Sequence, residues 1–256
     1  MKRRKFVSTA VAASAAPFMI SASLPQSFDP SQKEVYEIRT YEIKFRANRQ
    51  LLLDYLQDAL LPGLLKQGAN HFMIMEEIGM TDPAKLWVVI SYTSGEGYFR
   101  SQNLYSDSNF LRAASSYNSL GPDQTLYNRF GSSLLLAFDG MPELRKPLEG
   151  AGLFELRTYE GYNEDAVKRK IKMFNEGEIQ LFLDTGLFPV FFGEMLIGPS
   201  RPCLTYMLNF KDMEQRDANW KQFIDHPGWK ELSAMPEYAN TVSNIQRTFL
   251  KPLGPG

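Results

Sequence analysis

Tyr36-Glu37-Ile38-Arg39-Thr40-Tyr41-Glu42 recurs as Phe154-Glu155-Leu156-Arg157-Thr158-Tyr159-Glu160, and the reading of this stretch decides the fold. The offset of 118 residues (154 − 36) also pairs Gln57 with Asn175, Leu65 with Leu183, Gly68 with Gly186 and Glu76 with Glu194, without a gap. The chain therefore reads as a tandem duplication. In a strand, alternate side chains share a face, so Tyr36, Ile38 and Thr40 point one way and Glu37, Arg39 and Tyr41 the other. One row suits a core. The other is charged and aromatic.

Outward from that stretch, each copy shows the same order of elements. Strand 35–43 is followed by leucines at helical spacing over 47–67, with a break expected near Pro62-Gly63 and a stop at Gly68. Apolar runs at 72–79 and 86–92, around a turn at 80–84, read as antiparallel strands. A broken helix follows over 95–117, and a last strand over 126–138. The second copy gives strand 152–161, helix 164–184, strands 188–198 and 203–210, a helical stretch 214–231 interrupted at His226-Pro227-Gly228, and a closing strand 241–250. Residues 139–151, with two prolines and two glycines, form the linker between them. A βαββαβ unit makes a four-stranded antiparallel sheet with both helices on one face. Two such units can cover each other's bare faces, and the expectation is that the Glu/Arg/Tyr rows then line a partly polar space inside.

Composition narrows the function classes. Over 256 residues, 44% hydrophobic and 22% charged residues describe a globular protein, and a net charge of −1 offers no basic footprint for nucleic acid. Residues 1–23 read as a signal peptide: a basic Lys2-Arg3-Arg4-Lys5 head, an apolar run Phe6 to Ile20, and small residues Ser21-Ala22-Ser23 for cleavage. The twin-arginine and general secretory routes both stay open. The expected location is periplasmic or secreted, after a flexible lead-in at 24–33. No later run is long and apolar enough to span a bilayer. Cys203, alone, reads as a buried structural thiol.

The two openings, together with Trp220-Lys-Gln-Phe223, His226-Pro-Gly-Trp229 and Ile245-Gln-Arg-Thr-Phe-Leu-Lys-Pro252, resemble the NIPSNAP family of the dimeric α/β-barrel, ferredoxin-like group. The resemblance runs from residue 34 to 253 and is better in the second copy, because the first carries Phe99 to Phe110 where the paired tryptophans belong. It implies an α+β fold of two tandem ferredoxin-like βαββαβ units, 34–138 and 152–253, closed into one pseudo-dimeric α/β barrel. The wider group includes small oxygenases, haem-handling enzymes, isomerases and binding modules, and fold analogy cannot choose among them.

The candidate ligand-pocket residues are Glu37, Arg39, Tyr41, Glu155, Arg157 and Tyr159. Arg can hold a carboxylate, Tyr can donate a proton, and Glu in a dry space can act as a base. The competing role is a ladder of Glu–Arg pairs that docks the two units. Glu76 and Glu194 are expected to support the arginines from a neighbouring strand. Phe191 and Met73 supply an apolar wall of the kind small-molecule sites use. His71 and His226 do not correspond under the repeat, so no metal site is expected, and haem ligation stands only as a minor alternative. No Ser/His/Asp motif, P-loop or dinucleotide fingerprint is present. The leading expectation is a small, partly apolar ligand bound between the two repeats. An oxygenase-like or isomerase-like enzyme at the same seam is the alternative. A third reading is an association module with an exposed Trp220/Trp229 surface.

Overall fold

The computed structural model describes residues 33–79 and 82–253. The expected signal peptide, 1–23, and most of the expected lead-in, 24–33, lie outside the described residues. Eight strands close one antiparallel barrel: β1 Val35–Ile43, β2 Ala69–Glu77, β3 Lys85–Tyr92, β4 Tyr127–Ala137, β5 Leu153–Glu160, β6 Phe188–Ile197, β7 Cys203–Phe210 and β8 Asn244–Pro252. Their order around the barrel is β1-β3-β2-β8-β5-β7-β6-β4. Each half thus supplies four neighbouring strands in the ferredoxin-like order, β4-β1-β3-β2 and β8-β5-β7-β6. The halves join at two seams, β2 with β8 and β4 with β6.

The helices pack outside the sheet. The long helix α1 (49–66) follows β1, and α5 (164–184) follows β5. Between them in chain order lie α2 (Gly95–Ser101), α3 (Ser108–Ala113) and α4 (Ser115–Asn118); α6 (Met213–Asp225) and α7 (Pro227–Ser233) follow β7. Asn48 caps α1 by accepting from the Leu51 amide, and Asn163 caps α5 by accepting from the Ala166 amide, so each helix start satisfies a free N–H. Both long helices contain one π-helical turn, Tyr55–Leu60 in α1 and Phe174–Glu178 in α5. In α1 this widened turn lies just before Pro62, which has no N–H to continue the ladder. Gly68 and Gly186, at φ +108° and +72°, end the two helices in the left-handed conformation that favours glycine.

The two faces of the sheet are the reverse of the expectation. Tyr36, Ile38, Met75, Phe154, Leu156, Phe191 and Met207 fill the barrel interior. Tyr41 and Tyr159 instead pack with the helices of their own halves, and with them go the Glu37/Arg39 and Glu155/Arg157 pairs. Hydrophobic alternation cannot orient a strand that is covered on both faces, since aromatic residues are welcome on either. The charged row is affordable beneath the helices because Glu and Arg two residues apart on one face neutralise each other.

The 139–151 segment is an ordered strap, with Met141 and Leu144 buried. It runs along the β4–β6 seam: the Phe138 amide donates to the Phe192 carbonyl (3.1 Å), and the Arg145 amide to that of Val190 (2.8 Å). Glu34, itself buried, holds the strap in place by accepting from the Leu144 amide at 2.6 Å. Phe138 inserts between the second sheet and α5, stacking on Phe192 with ring centroids 5.8 Å apart. Burying such a ring contributes roughly 1.5–3 kcal/mol.

Candidate functional site

At the other seam the strap contributes only Pro147, at the edge of an open slot. Met75, Glu76 and Glu77 of β2 pair with Pro252, Lys251 and Leu250 of β8, flanked by bonds from the Leu253 amide to the Ile74 carbonyl and from the Ile78 amide to the Phe249 carbonyl, each 2.8 Å. Towards its start, β2 separates from β8 and leaves a slot in the barrel wall of about 280 Å³. Alternation along β2 gives the slot two depths: Phe72 and Ile74 face α1, whereas Met73 and Met75 face the interior. Leu61 of α1, Phe154 of β5, Pro147 of the strap, Pro252 and Leu253 complete the lining. Gln57 is the one polar side chain of the lining. An apolar cleft with a single amide is the chemistry of a small-molecule site.

The predicted residues divide between this cleft and two buried charge clusters. Met73 lines the cleft. Phe191 lies in the barrel core against Tyr36, ring centroids 4.9 Å apart, and is fully buried. Glu37 accepts two bonds from Arg39 (2.7 and 2.9 Å), one from Tyr92 (3.0 Å) and one from Ser132 (2.7 Å). Tyr41 stacks on Phe130. Glu155, fully buried, accepts from Arg157 Nη1 at 2.8 Å, from Arg216 at 2.9 Å on each oxygen, and from the Trp220 indole at 2.8 Å. Burial works to raise the Glu155 pKa, but the Arg216 bonds, the Arg157 charge and the Trp220 bond outweigh it and hold the carboxyl below its ordinary range. The rows do not meet; each is bonded within its own half.

Glu76 and Glu194 do not support Arg39 and Arg157. In each sheet a strand intervenes, β3 between β1 and β2 and β7 between β5 and β6. Glu76 is bonded to Arg49 and, at 2.7 Å, to Lys251, while Glu194 pairs with Lys168 at 2.6 Å. Both are rim ion pairs. Trp220, on the inward face of α6, is buried and Trp229 is half-buried, so the two do not form the exposed tryptophan surface expected for protein association. His226 caps α7, its Nδ1 accepting from the Gly228 amide at 3.1 Å, which accounts for the helix break there. Burial pushes the Cys203 thiol up to about 11, and it stays protonated at neutral pH. Among the described residues no group of His, Cys, Asp and Glu could hold a metal ion, and no helix is long and apolar enough to cross a membrane.

Sequence reasoning missed Tyr206, Lys170 and Glu178. The Tyr206 hydroxyl donates to that of Tyr159 at 2.8 Å, and Lys170 Nζ lies 2.5 Å from Glu178 Oε2, both side chains buried. The available signal was the repeat itself, which puts Leu52 and Leu60 where the second half has Lys170 and Glu178.

Comparison with known proteins agrees with this architecture. Residues 154–255 match the NIPSNAP family model. No curated protein is significantly similar in sequence. Among solved structures, a provisionally named monooxygenase from Fusobacterium nucleatum is 10% identical and covers 87% of this chain and 93% of its own, with a TM-score of 0.60. Another from Lactobacillus acidophilus is also 10% identical, covering 86% and 94%, with a TM-score of 0.55. An uncharacterised NIPSNAP-like domain protein from Burkholderia xenovorans is 17% identical and covers 42% of this chain and 91% of its own, at a TM-score of 0.38. At such identities the first two resemblances are of fold alone. Over residues 154–255 the chain thus resembles the NIPSNAP family, and the strands of this half complete a closed eight-stranded barrel.

Proposed function

We propose that the protein binds a small, largely apolar molecule carrying one hydrogen-bonding group, in the cleft at the β2–β8 seam. The observation that carries this reading is the difference between the seams. At β4–β6 the strap and the Phe138 ring occupy the space beside the second sheet, whereas at β2–β8 a slot of about 280 Å³ remains, walled by both halves of the chain. That volume is near the lower bound for ligand pockets, roughly 300 Å³, which favours a small ligand. The lining supports an apolar body, and Gln57 supports one polar contact. Residues 1–23 support an exported setting, periplasmic or secreted, for this binding.

Native mass spectrometry of the protein purified from its own host's exported fraction tests the reading. The expected result is a non-covalent mass increment that disappears under denaturing conditions and is lost after exchange against excess apolar competitor. An increment that the competitor does not displace would place the ligand elsewhere and count against the cleft.

A further inference from the structure

The repeat that pairs the two halves also pairs their seams. Met75 faces Pro252 across β2–β8 as Gly193 faces Ala137 across β4–β6. One residue further on, the Leu253 amide donates to the Ile74 carbonyl (2.8 Å) as the Phe138 amide donates to that of Phe192 (3.1 Å). Beyond Phe138 the strap continues over the second half. The cleft lies at the corresponding place on the first half, so it is the counterpart of the strap's seat.

The strap shows what such a seat accepts. In the π turn of α5, Asn175 Oδ1 accepts from the Gly140 amide at 2.9 Å. A main-chain N–H can only donate, which makes the side-chain oxygen its partner. A Cβ at Gly140 would lie 3.1 Å from both that oxygen and Ile179 Cδ1, so the strap crosses α5 at close range. Met141 then packs in the cluster that holds Ile179, and Leu144 in the one that holds Phe191. An amide N–H with apolar groups beside it is the chemistry the strap presents here.

Under the offset of 118, Asn175, Ile179 and Phe191 correspond to Gln57, Leu61 and Met73, and all three of these line the cleft. Gln57 stands in the π turn of α1, half-buried, and its amide has no hydrogen-bond partner among the described residues. Such turns recur at functional sites. Glu34, whose carboxylate fastens the strap at Leu144, has Gly152 as its counterpart. No matching carboxylate fastens an occupant of the cleft, which stays free to exchange.

We propose that the ligand of the cleft is a small secondary carboxamide. Its N–H donates to Gln57 Oε1 as that of Gly140 donates to Asn175 Oδ1, and its apolar substituents lie against Leu61 and Met73. The proposal rests on the cleft reading above and adds the nature of the polar group, a donor adjoining a carbonyl.

The test uses two compounds that differ by one group, N-phenylhexanamide and 1-phenylheptan-2-one, in which CH2 replaces the N–H. Each competes with N-phenyl-1-naphthylamine, whose fluorescence reads binding to the purified protein. The quantity measured is the ratio of the two inhibition constants, because the hydration of the free compounds cancels when variants are compared. Gln57→Leu is expected to shift this ratio about tenfold against the amide, since the N–H is left without an acceptor. Gln57→Glu keeps an acceptor and is expected to preserve or enlarge the native preference for the amide. A ratio unchanged in Gln57→Leu overturns the proposal and leaves the cleft reading intact. So does a ratio that falls equally in Gln57→Glu, which would make Gln57 a donor. Failure of the probe to bind the native protein, as a cleft already filled by a peptide segment would give, overturns the cleft reading and the proposal together, and so does probe binding indifferent to Met73→Trp.

Discussion

Glu155→Ala is expected to destabilise the protein by about 3 kcal/mol, because it leaves Arg157 buried without its carboxylate, while half-buried Arg216 keeps only its pair with Asp217. The Trp220 indole N–H loses its acceptor as well. An unsatisfied buried donor adds roughly 1–3 kcal/mol to such a loss, although terms this close together are not additive. Urea denaturation followed by tryptophan fluorescence measures the change, and a loss below about 1 kcal/mol would mean that water replaces the carboxylate freely. The pH dependence has a defined sign. Glu155 is held below its ordinary value of 4.5 in the folded protein, so its contribution is fully present above that value. It is lost as pH falls from there through the lower folded pKa, the range in which the unfolded chain binds the proton first. Glu155→Gln should flatten that acid limb. The corresponding variant Glu37→Ala exposes only one cation, Arg39, and should cost less.

Met73→Trp is expected to abolish ligand binding at the seam. Met73 is half-buried on the wall of the slot, and an indole at this position would occupy much of its volume. Overpacking a filled core costs about 1–3 kcal/mol, but here the added ring enters open space, which places the stability change at the low end. Binding of N-phenyl-1-naphthylamine, read by its fluorescence, should weaken at least about a hundredfold, equivalent to roughly 2.7 kcal/mol. Equal affinity in the native protein and the variant would show that the probe binds elsewhere.

The architecture was legible because a strand-forming heptapeptide occurs twice and the elements around it keep their spacing. Its strand order and its two seams follow from covering the bare faces of two βαββαβ units. The direction of the Glu/Arg/Tyr rows was not legible. Both faces of β1 and β5 are covered, and a row such as Glu37-Arg39-Tyr41 is self-neutralising, so it can be buried beneath helices as readily as inside a barrel. The cleft was legible only as Met73 facing the interior, since the slot itself depends on where β8 stops pairing with β2 and on the course of the 139–151 strap. Neither is encoded locally. Lys170 and Glu178 carried a readable signal, two charges at positions the other copy gives to leucine.

The measurement that tests the cleft most directly is NMR of the protein labelled with carbon-13 at its methionine methyl groups, titrated with N-phenyl-1-naphthylamine. Met73 and Met75 line the slot, whereas Met213 and Met235 are exposed outside it. Binding in the cleft predicts that the Met73 and Met75 methyl signals move together along one saturation curve while those of Met213 and Met235 stay in place. Saturable movement of Met213 or Met235 with Met73 and Met75 unmoved would contradict it.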